Sequence, residues 1–257
     1  MNSKSIILNI LFSIKICYKI ILFIYSLSFY FLCISFFYLN LKQLSNRTLE
    51  KAARICLTAL GVKVLINKKY TKYNSRKEIH VANHESPFDA LITQGFFCMP
   101  SLTTAHIHLS KILPKIELIM TNYGHIPFDY KNIKSRTEAL KKIINTLKYN
   151  QKIFYYPSGS LITPIYKRFS NSVGFLSKKE NANIILWHFK YIGEDYKEIK
   201  LNDDPRKLII SRIKGKDLIV ECTQYSTIKH DDYTDLNIMS EDIKNLYNSL
   251  HSNFSHN

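Results

Sequence analysis

Residues Ile20 to Leu39 form an unbroken run of twenty residues without a charge, IILFIYSLSFYFLCISFFYL. No other segment restricts the chain so severely. About 20 apolar residues at a rise of 1.5 Å each match the hydrocarbon thickness of a bilayer as one helix. Tyr25, Tyr30, Tyr38 and the phenylalanines suit the membrane–water interface as well as a full span. A shorter apolar run, Ile6 to Ile14, precedes it and is set off by Lys15 and Lys19. A secretory signal would also be apolar, but the run exceeds the length of a signal core and no small-residue cleavage site follows it. Residues 1–42 are therefore expected to be a membrane-anchoring segment, inserted as a span or as a hairpin. Lys4, Lys15 and Lys19 on one side balance Lys42, Arg47 and Lys51 on the other, so charge leaves the orientation open.

Residues 43–257 remain for one domain, enough to bury a substantial core. Leu49, Ala52, Ala53, Cys56, Leu57 and Leu60 recur at helical spacing, and Gly61 stands where a helix would end. Val62 to Ile66 alternates as a strand, and 78–82 reads as a second. The pattern then predicts a helix over 86–97, a strand at Ser101–Ala105, and a helix over about 109–121 interrupted near Pro114. An amphipathic helix is expected at 134–149, carried by Ala139, Leu140, Ile143, Ile144 and Leu147. Ile153–Tyr156 and Ile184–Trp187 read as buried strands. Two strands near 207–213 and 217–223 are expected to form a hairpin about Lys214-Gly215-Lys216. Ser240 with Glu241 and Asp242 reads as the start of a last helix. Strands alternating with helices predict a single α/β domain.

The five cysteines, Cys17, Cys33, Cys56, Cys98 and Cys222, are scattered and odd in number, which points away from a disulfide framework or a zinc site. His106 and His108 have no third ligand at a convincing spacing, so no metal is expected. The formal net charge is +16. Such an excess attracts anionic lipid, polyanionic substrates or nucleic acid. The basic residues are dispersed and surround no recognition module, which argues against nucleic acid.

The chemistry-bearing stretch is Asn83-His84-Glu85-Ser86-Pro87-Phe88-Asp89. It lies where a strand passes into a helix, with Ser86 as N-cap and Pro87 at the first helical position. Asp89 falls in the first turn, close enough to fold back to His84. A carboxylate that holds an imidazole in one tautomer equips it to take a proton from a hydroxyl. The same Asp89, three residues after Ser86, also fits a capping box that merely stabilises the helix start.

Four ordered segments decide between these readings. Asn83-His84-x4-Asp89, Gly124-His125-Ile126-Pro127-Phe128-Asp129, Tyr156-Pro157-Ser158-Gly159-Ser160 and the apolar strand 184–187 resemble the blocks of the phospholipid/glycerol acyltransferase family, whose best-known members acylate lysophosphatidic acid. The lead-in Ala59 to Val64 is also similar. The resemblance spans about residues 45 to 250 and implies a single acyltransferase domain of the α/β class, a mixed sheet flanked by helices behind an N-terminal membrane helix. It implies that His84 is the general base, oriented by Asp89, and that the acyl group passes directly from a thioester to a hydroxyl. It assigns substrate binding to Asn83, Gly124, Phe128, Asp129, Lys131, Pro157, Ser158, Gly159 and Ser160. No cofactor is implied beyond acyl-CoA or acyl-carrier protein as cosubstrate, and the expected partners are that donor and membrane lipids, at the cytoplasmic face.

The chain departs from the family pattern at instructive positions. Tyr130 and Leu161 stand where the second and third blocks carry arginine, and Ser158 stands for a glutamate. Tyr156 occupies the position of the phenylalanine in Phe-Pro-Glu-Gly-Thr-Arg. Those arginines hold an acceptor phosphate through bidentate contacts that lysine copies poorly. Lys131, Lys134 and Arg136, or Lys167 and Arg168, are the nearby cations that could replace them. The fourth block lacks its proline and carries Trp187-His188, where His188 is expected to be structural.

Overall fold

The computed structural model describes residues 3–68, 77–99, 102–103, 115–127, 132–149, 152–158, 170–193 and 205–255. In chain order the first half comprises α1 (Ser3–Tyr38), α2 (Lys42–Ala59), β1 (Val62–Lys68), β2 (Glu78–Ala82), α3 (Phe88–Ile92), a π-turn at Thr93–Phe97, β3 (Leu102–Thr103), α4 (Ile116–Tyr123) and β4 (Ile126–Pro127). The second half comprises α5 (Ile133–Lys148), β5 (Ile153–Tyr155), α6 (Ser172–Glu180), β6 (Asn183–Ile192), α7 (Pro205–Lys214), β7 (Leu218–Ile228) and α8 (Leu236–Ser255). The chain divides into two units. One is Met1–Leu65 with Leu91–Cys98 and Tyr191–Val220; the other is Ile66–Ala90 with Met99–Lys190 and Glu221–Asn257.

In the first unit the two apolar runs are one helix. Nothing between Ile14 and Ile20 breaks it, since lysine is a good helix former and neither glycine nor proline intervenes. Ser5–Tyr38 is long and apolar enough to cross a membrane, with mean hydropathy 2.3. At 36 residues α1 is about 54 Å long, well beyond one hydrocarbon thickness of about 30 Å. Its second half is not apolar for lipid on every side. Ser26, Tyr30 and Cys33 are buried, and the Ser45 hydroxyl of α2 donates to the Cys33 carbonyl at 3.1 Å. The first half instead exposes Ile6, Ile7, Leu8, Ile10, Leu11 and Phe12.

The expected strand at 207–213 is a helix, α7. Apolar Leu208, Ile209 and Ile210 suggested a strand, but Pro205 opens the segment at a helix-compatible position and Arg212 and Lys214 fall in its last turn. No hairpin therefore forms, and β7 runs from Leu218 alone of the pair. Arg212 is buried and donates to the Leu60 carbonyl through Nε at 3.4 Å and to the Lys216 carbonyl through Nη2. Lys19, also buried, donates to the carbonyls of Arg212 and Gly215 at 3.3 Å each and pairs with Asp217 at 3.2 Å.

The second unit holds most of a mixed five-stranded sheet of order β1-β7-β6-β2-β5. β2 is parallel to both neighbours, with Ile79 opposite Ile153 and Ile184. All five of its residues are buried, as expected of a parallel strand covered on both faces. Ile79 and Val81 join Ile153, Tyr155, Ile184 and Leu186 on one face, packed with Ala139, Ile143 and Leu147 of α5, Val173 and Leu176 of α6, and Ile243 and Tyr247 of α8. The opposite face is aromatic: His80 stacks with Phe154 and with Trp187, each at 6.2 Å. The amphipathic pattern of α5 is realised within one residue of the expected bounds, and Asn132 caps it by accepting from the Ser135 N–H.

Other boundaries move for local reasons. The helix expected over 86–97 gives way at Thr93 to a π-turn, where Gly95 comes so close to α2 that a Cβ would lie 3.1 Å from Arg54 Cγ. The Arg54 Nε donates to the Gly95 carbonyl there. The last helix starts at Leu236 rather than Ser240, because the Asp235 carboxylate accepts from the Asn237 N–H at 2.7 Å and caps it earlier. Of the helix expected over 109–121, the described part is α4. Of the strand at Ser101–Ala105, the described part is β3, paired in parallel with β4.

Candidate active site

The register of β2 and β5 brings two distant segments to one edge. Val81 lies opposite Tyr155 in a parallel pair, so Asn83-His84 and Tyr156 leave the sheet side by side at the carboxyl ends of the strands. Ligand sites of open α/β sheets sit at such ends. Asn83 fixes the exit. It is buried, its amide N–H donates to the Phe189 carbonyl at 2.9 Å, and its oxygen accepts the Phe189 N–H at 2.7 Å. The Asn83 side chain thus ties the His84 loop to β6.

Ser86 starts α3 as expected, its hydroxyl accepting the Phe88 N–H at 3.2 Å while its carbonyl accepts the Asp89 N–H at 3.1 Å. Asp89, fully buried, turns back over the loop. One carboxylate oxygen, Oδ2, accepts from the Glu85 N–H at 2.9 Å, the Ser86 N–H at 3.0 Å and the His84 Nδ1 at 2.8 Å. The contact that starts the helix and the contact to the imidazole therefore share one atom. Two backbone donors anchor the carboxylate, and the anchored carboxylate orients the imidazole.

That geometry fixes the tautomer. An ionised carboxylate only accepts, so His84 Nδ1 carries the proton and donates it, which leaves Nε2 as the basic nitrogen. No described residue occupies Nε2. The His84 side chain is 20% exposed while that of Asp89 is 0% exposed. The imidazole thus meets the surroundings, and the carboxylate that holds it does not. Cys222, buried on β7, lies near enough that burial first, and the Asp89 charge second, push its thiol upward.

Tyr156, at the head of the third block, was not among the expected site residues. Its ring stacks on the His84 imidazole, centroids 4.5 Å apart and planes inclined by 28°. Its hydroxyl donates to the Asp89 carbonyl at 3.0 Å. The signal that could have found it is the substitution of tyrosine for the phenylalanine of that block. Pro157 and Ser158 follow, and both are buried. Gly124 ends α4 with φ of 96°, a left-handed cap whose N–H donates to the Thr121 carbonyl at 3.0 Å. Lys134 and Arg136 lie on the exposed face of α5. His188 is buried, edge-on to Tyr225 at 5.9 Å. Phe128, Asp129, Tyr130, Lys131, Gly159, Ser160, Leu161, Lys167, Arg168, His106 and His108 lie outside the described residues.

Behind the site a buried polar chain supports β2. The Trp187 Nε1–H donates to His80 Nδ1 at 3.0 Å, and His80 Nε2 meets Glu78 Oε2 at 2.9 Å. With Nδ1 serving as acceptor, His80 is neutral there and donates from Nε2. Lys152 Nζ reaches the same Glu78 oxygen at 2.5 Å. Burial by itself would raise the Glu78 carboxyl. The hydrogen bonds from His80 and Lys152, with the Lys152 charge, outweigh it and hold the group below its ordinary value. The Tyr247 hydroxyl of α8 bonds to the carbonyls of Trp187 at 2.7 Å and Val81 at 3.1 Å.

Comparison with known proteins finds a family model and a fold. A family model described as Acyltransferase matches residues 63–189, a range that contains His84, Asp89, Gly124 and Tyr156. No curated protein matches. Among solved structures, the chain is similar to the 1-acyl-sn-glycerophosphate (LPA) acyltransferase PlsC from Thermotoga maritima. The TM-score is 0.58 at 17% identity, over 92% of this chain and 98% of that one. At that identity the likeness is one of fold, and it extends over both units. The family model covers the central segment that holds these residues, and the shared fold extends beyond it.

Proposed function

We propose that the protein moves a fatty acyl group from acyl-CoA or acyl-carrier protein to the hydroxyl of a lysophospholipid or glycerolipid at a membrane surface. The observation that carries this reading is the His84 Nδ1 to Asp89 Oδ2 hydrogen bond of 2.8 Å, with the partly exposed Nε2 left basic. Nε2 takes the acceptor's hydroxyl proton as its oxygen attacks the thioester carbonyl. The new C–O bond forms, the C–S bond breaks, and the imidazolium returns the proton to the departing thiolate. Asp89 stabilises the transient charge on the ring without taking the proton. No enzyme nucleophile is needed. The reaction class nearest to the structural relative is 1-acylglycerol-3-phosphate acylation.

A specific observation favours a second acceptor. Tyr130, Ser158 and Leu161 replace residues with which the family pattern holds a phosphate monoester. A lysophospholipid diester places less charge on those positions and fits them better. A non-catalytic lipid-binding role is the reading from a different class, and it leaves the His84–Asp89 geometry without a use. The membrane-facing role falls to α1, and the net charge of +16 suits an anionic bilayer and an acidic donor. We place the catalytic residues on the cytoplasmic face, where the acyl donors are.

The test uses the full chain in phosphatidylglycerol-containing vesicles, with labelled acyl-CoA and acyl-carrier protein and a panel of monoester and diester acceptors. Wild-type protein is expected to form a labelled lipid ester that His84→Ala reduces by roughly a thousandfold. Lipid binding without transfer to any acceptor, or transfer unaffected by His84→Ala, overturns the reading.

A further inference from the structure

Tyr156 touches both members of the pair by different parts of one side chain. Its ring covers the face of the His84 imidazole at 4.5 Å, and its hydroxyl donates 3.0 Å to the Asp89 backbone carbonyl in the first turn of α3. We propose that Tyr156 is a positioning residue for His84, in which the ring sets the orientation of the imidazole and the hydroxyl sets the place of the turn that carries its carboxylate. The inference rests on the acyl-transfer reading above, with His84 as base.

The physical need for it lies in what Asp89 leaves undone. A single hydrogen bond at Nδ1 fixes the tautomer, but it lets the ring tilt about the donor–acceptor line and swing Nε2 through a wide arc. A flat aromatic surface against one face removes that freedom. A misplacement of about 1 Å in a reacting atom can cost roughly a hundredfold in rate.

The hydroxyl works through the backbone. Asp89 Oδ2 is already committed to the Glu85 and Ser86 N–H groups, so the carboxylate moves with its loop. Holding the Asp89 carbonyl to Tyr156 ties that loop and α3 to the end of β5, the strand next to the one that carries His84. A phenylalanine, the residue of the family pattern, supplies the ring contact and lacks this tie.

The experiment measures transfer by the full chain in vesicles and, separately, records the His84 ring-proton shifts by NMR with labelled imidazole, assigned through His84→Gln. Tyr156→Leu is expected to lower kcat about 30- to 100-fold with little change in the KM for acyl-CoA. It also removes the displacement of the His84 ring-proton signals that the stacked ring produces. Tyr156→Phe is expected to restore that displacement and most of kcat, leaving a deficit of about three- to tenfold. A Tyr156→Leu protein with wild-type kcat and wild-type ring-proton shifts, in a background where His84→Gln is inactive, overturns this inference and leaves the reaction standing. A Tyr156→Phe protein no better than Tyr156→Leu overturns the assignment of the orienting role to the ring. If His84→Gln stays active, the reaction fails as proposed. The His84 ring-proton shifts in Tyr156→Phe, which keeps the same ring, still decide whether the stack acts on His84.

Discussion

Both units bury charge next to backbone, and they use it differently. In the first, Arg212 and Lys19 are almost wholly enclosed and their donors go to the carbonyls of Leu60, Lys216, Arg212 and Gly215. Those carbonyls close the ends of helices and turns, so the cations replace backbone partners that the fold does not supply. In the second, Asp89 is enclosed just as fully and also satisfies backbone, yet it holds an imidazole whose second nitrogen meets the surroundings. A buried charge whose partners close helix ends and turns is part of the scaffold. One that orients a group with an unspent, partly exposed atom can do chemistry.

The sharpest way to break this comparison is to remove charge from the second unit and ask whether rate or stability pays. His84→Ala should reduce transfer roughly a thousandfold, and Asp89→Asn roughly a hundredfold or more, with thermal unfolding shifted by only a few degrees. Asparagine can still accept the Glu85 and Ser86 N–H groups, so only the charge is lost. Equal losses of stability and rate in Asp89→Asn would make Asp89 a cap and nothing more.

The mirror experiment is Arg212→Leu in the first unit. Removing the Arg212 donors to the Leu60 and Lys216 carbonyls should destabilise the protein by about 3 kcal/mol, read by denaturant titration. The rate per folded molecule at saturating substrate should stay within about twofold. Asn83→Ala sits between the two cases. It unties the His84 loop from Phe189, and we expect about 2 kcal/mol of stability and roughly tenfold in kcat to be lost together. A variant that loses stability with no loss of rate would show that the loop keeps its shape without that clamp.

The smallest effect concerns Glu78. Its carboxyl is held below its ordinary value in the folded state, so its stabilisation is complete above the unfolded value and disappears as pH falls through the folded one. Glu78→Gln should therefore cost about 1 kcal/mol at pH 7 and progressively less below about pH 4. Urea unfolding at both pH values checks the sign, and a constant difference would contradict it.

The readings that held are local ones. The His84–Asp89 contact closes over five residues, and Ser86-Pro87 marks its helix, so spacing and cap residues suffice. The five-stranded α/β arrangement follows from apolar runs alternating with amphipathic helices, and α5 was legible from Ala139, Ile143 and Leu147. The reading failed at α7, where three adjacent apolar residues imitate a strand and only the flanking Pro205 and the basic last turn favour a helix. It could not anticipate the π-turn either, because the reason for it, Arg54, belongs to α2.

By itself, the sequence determined a membrane-length apolar helix, the α/β class, and a histidine with its carboxylate, because each depends on neighbours along the chain. Tertiary structure decided what surrounds that histidine. Tyr156 reaches it only because β5 pairs in parallel with β2 in one register, and Asn83 is consumed by a strand that arrives a hundred residues later. Non-local contacts of this kind leave no periodic trace in a sequence. They are set by which strand lies beside which, and that is fixed only when the whole sheet has formed.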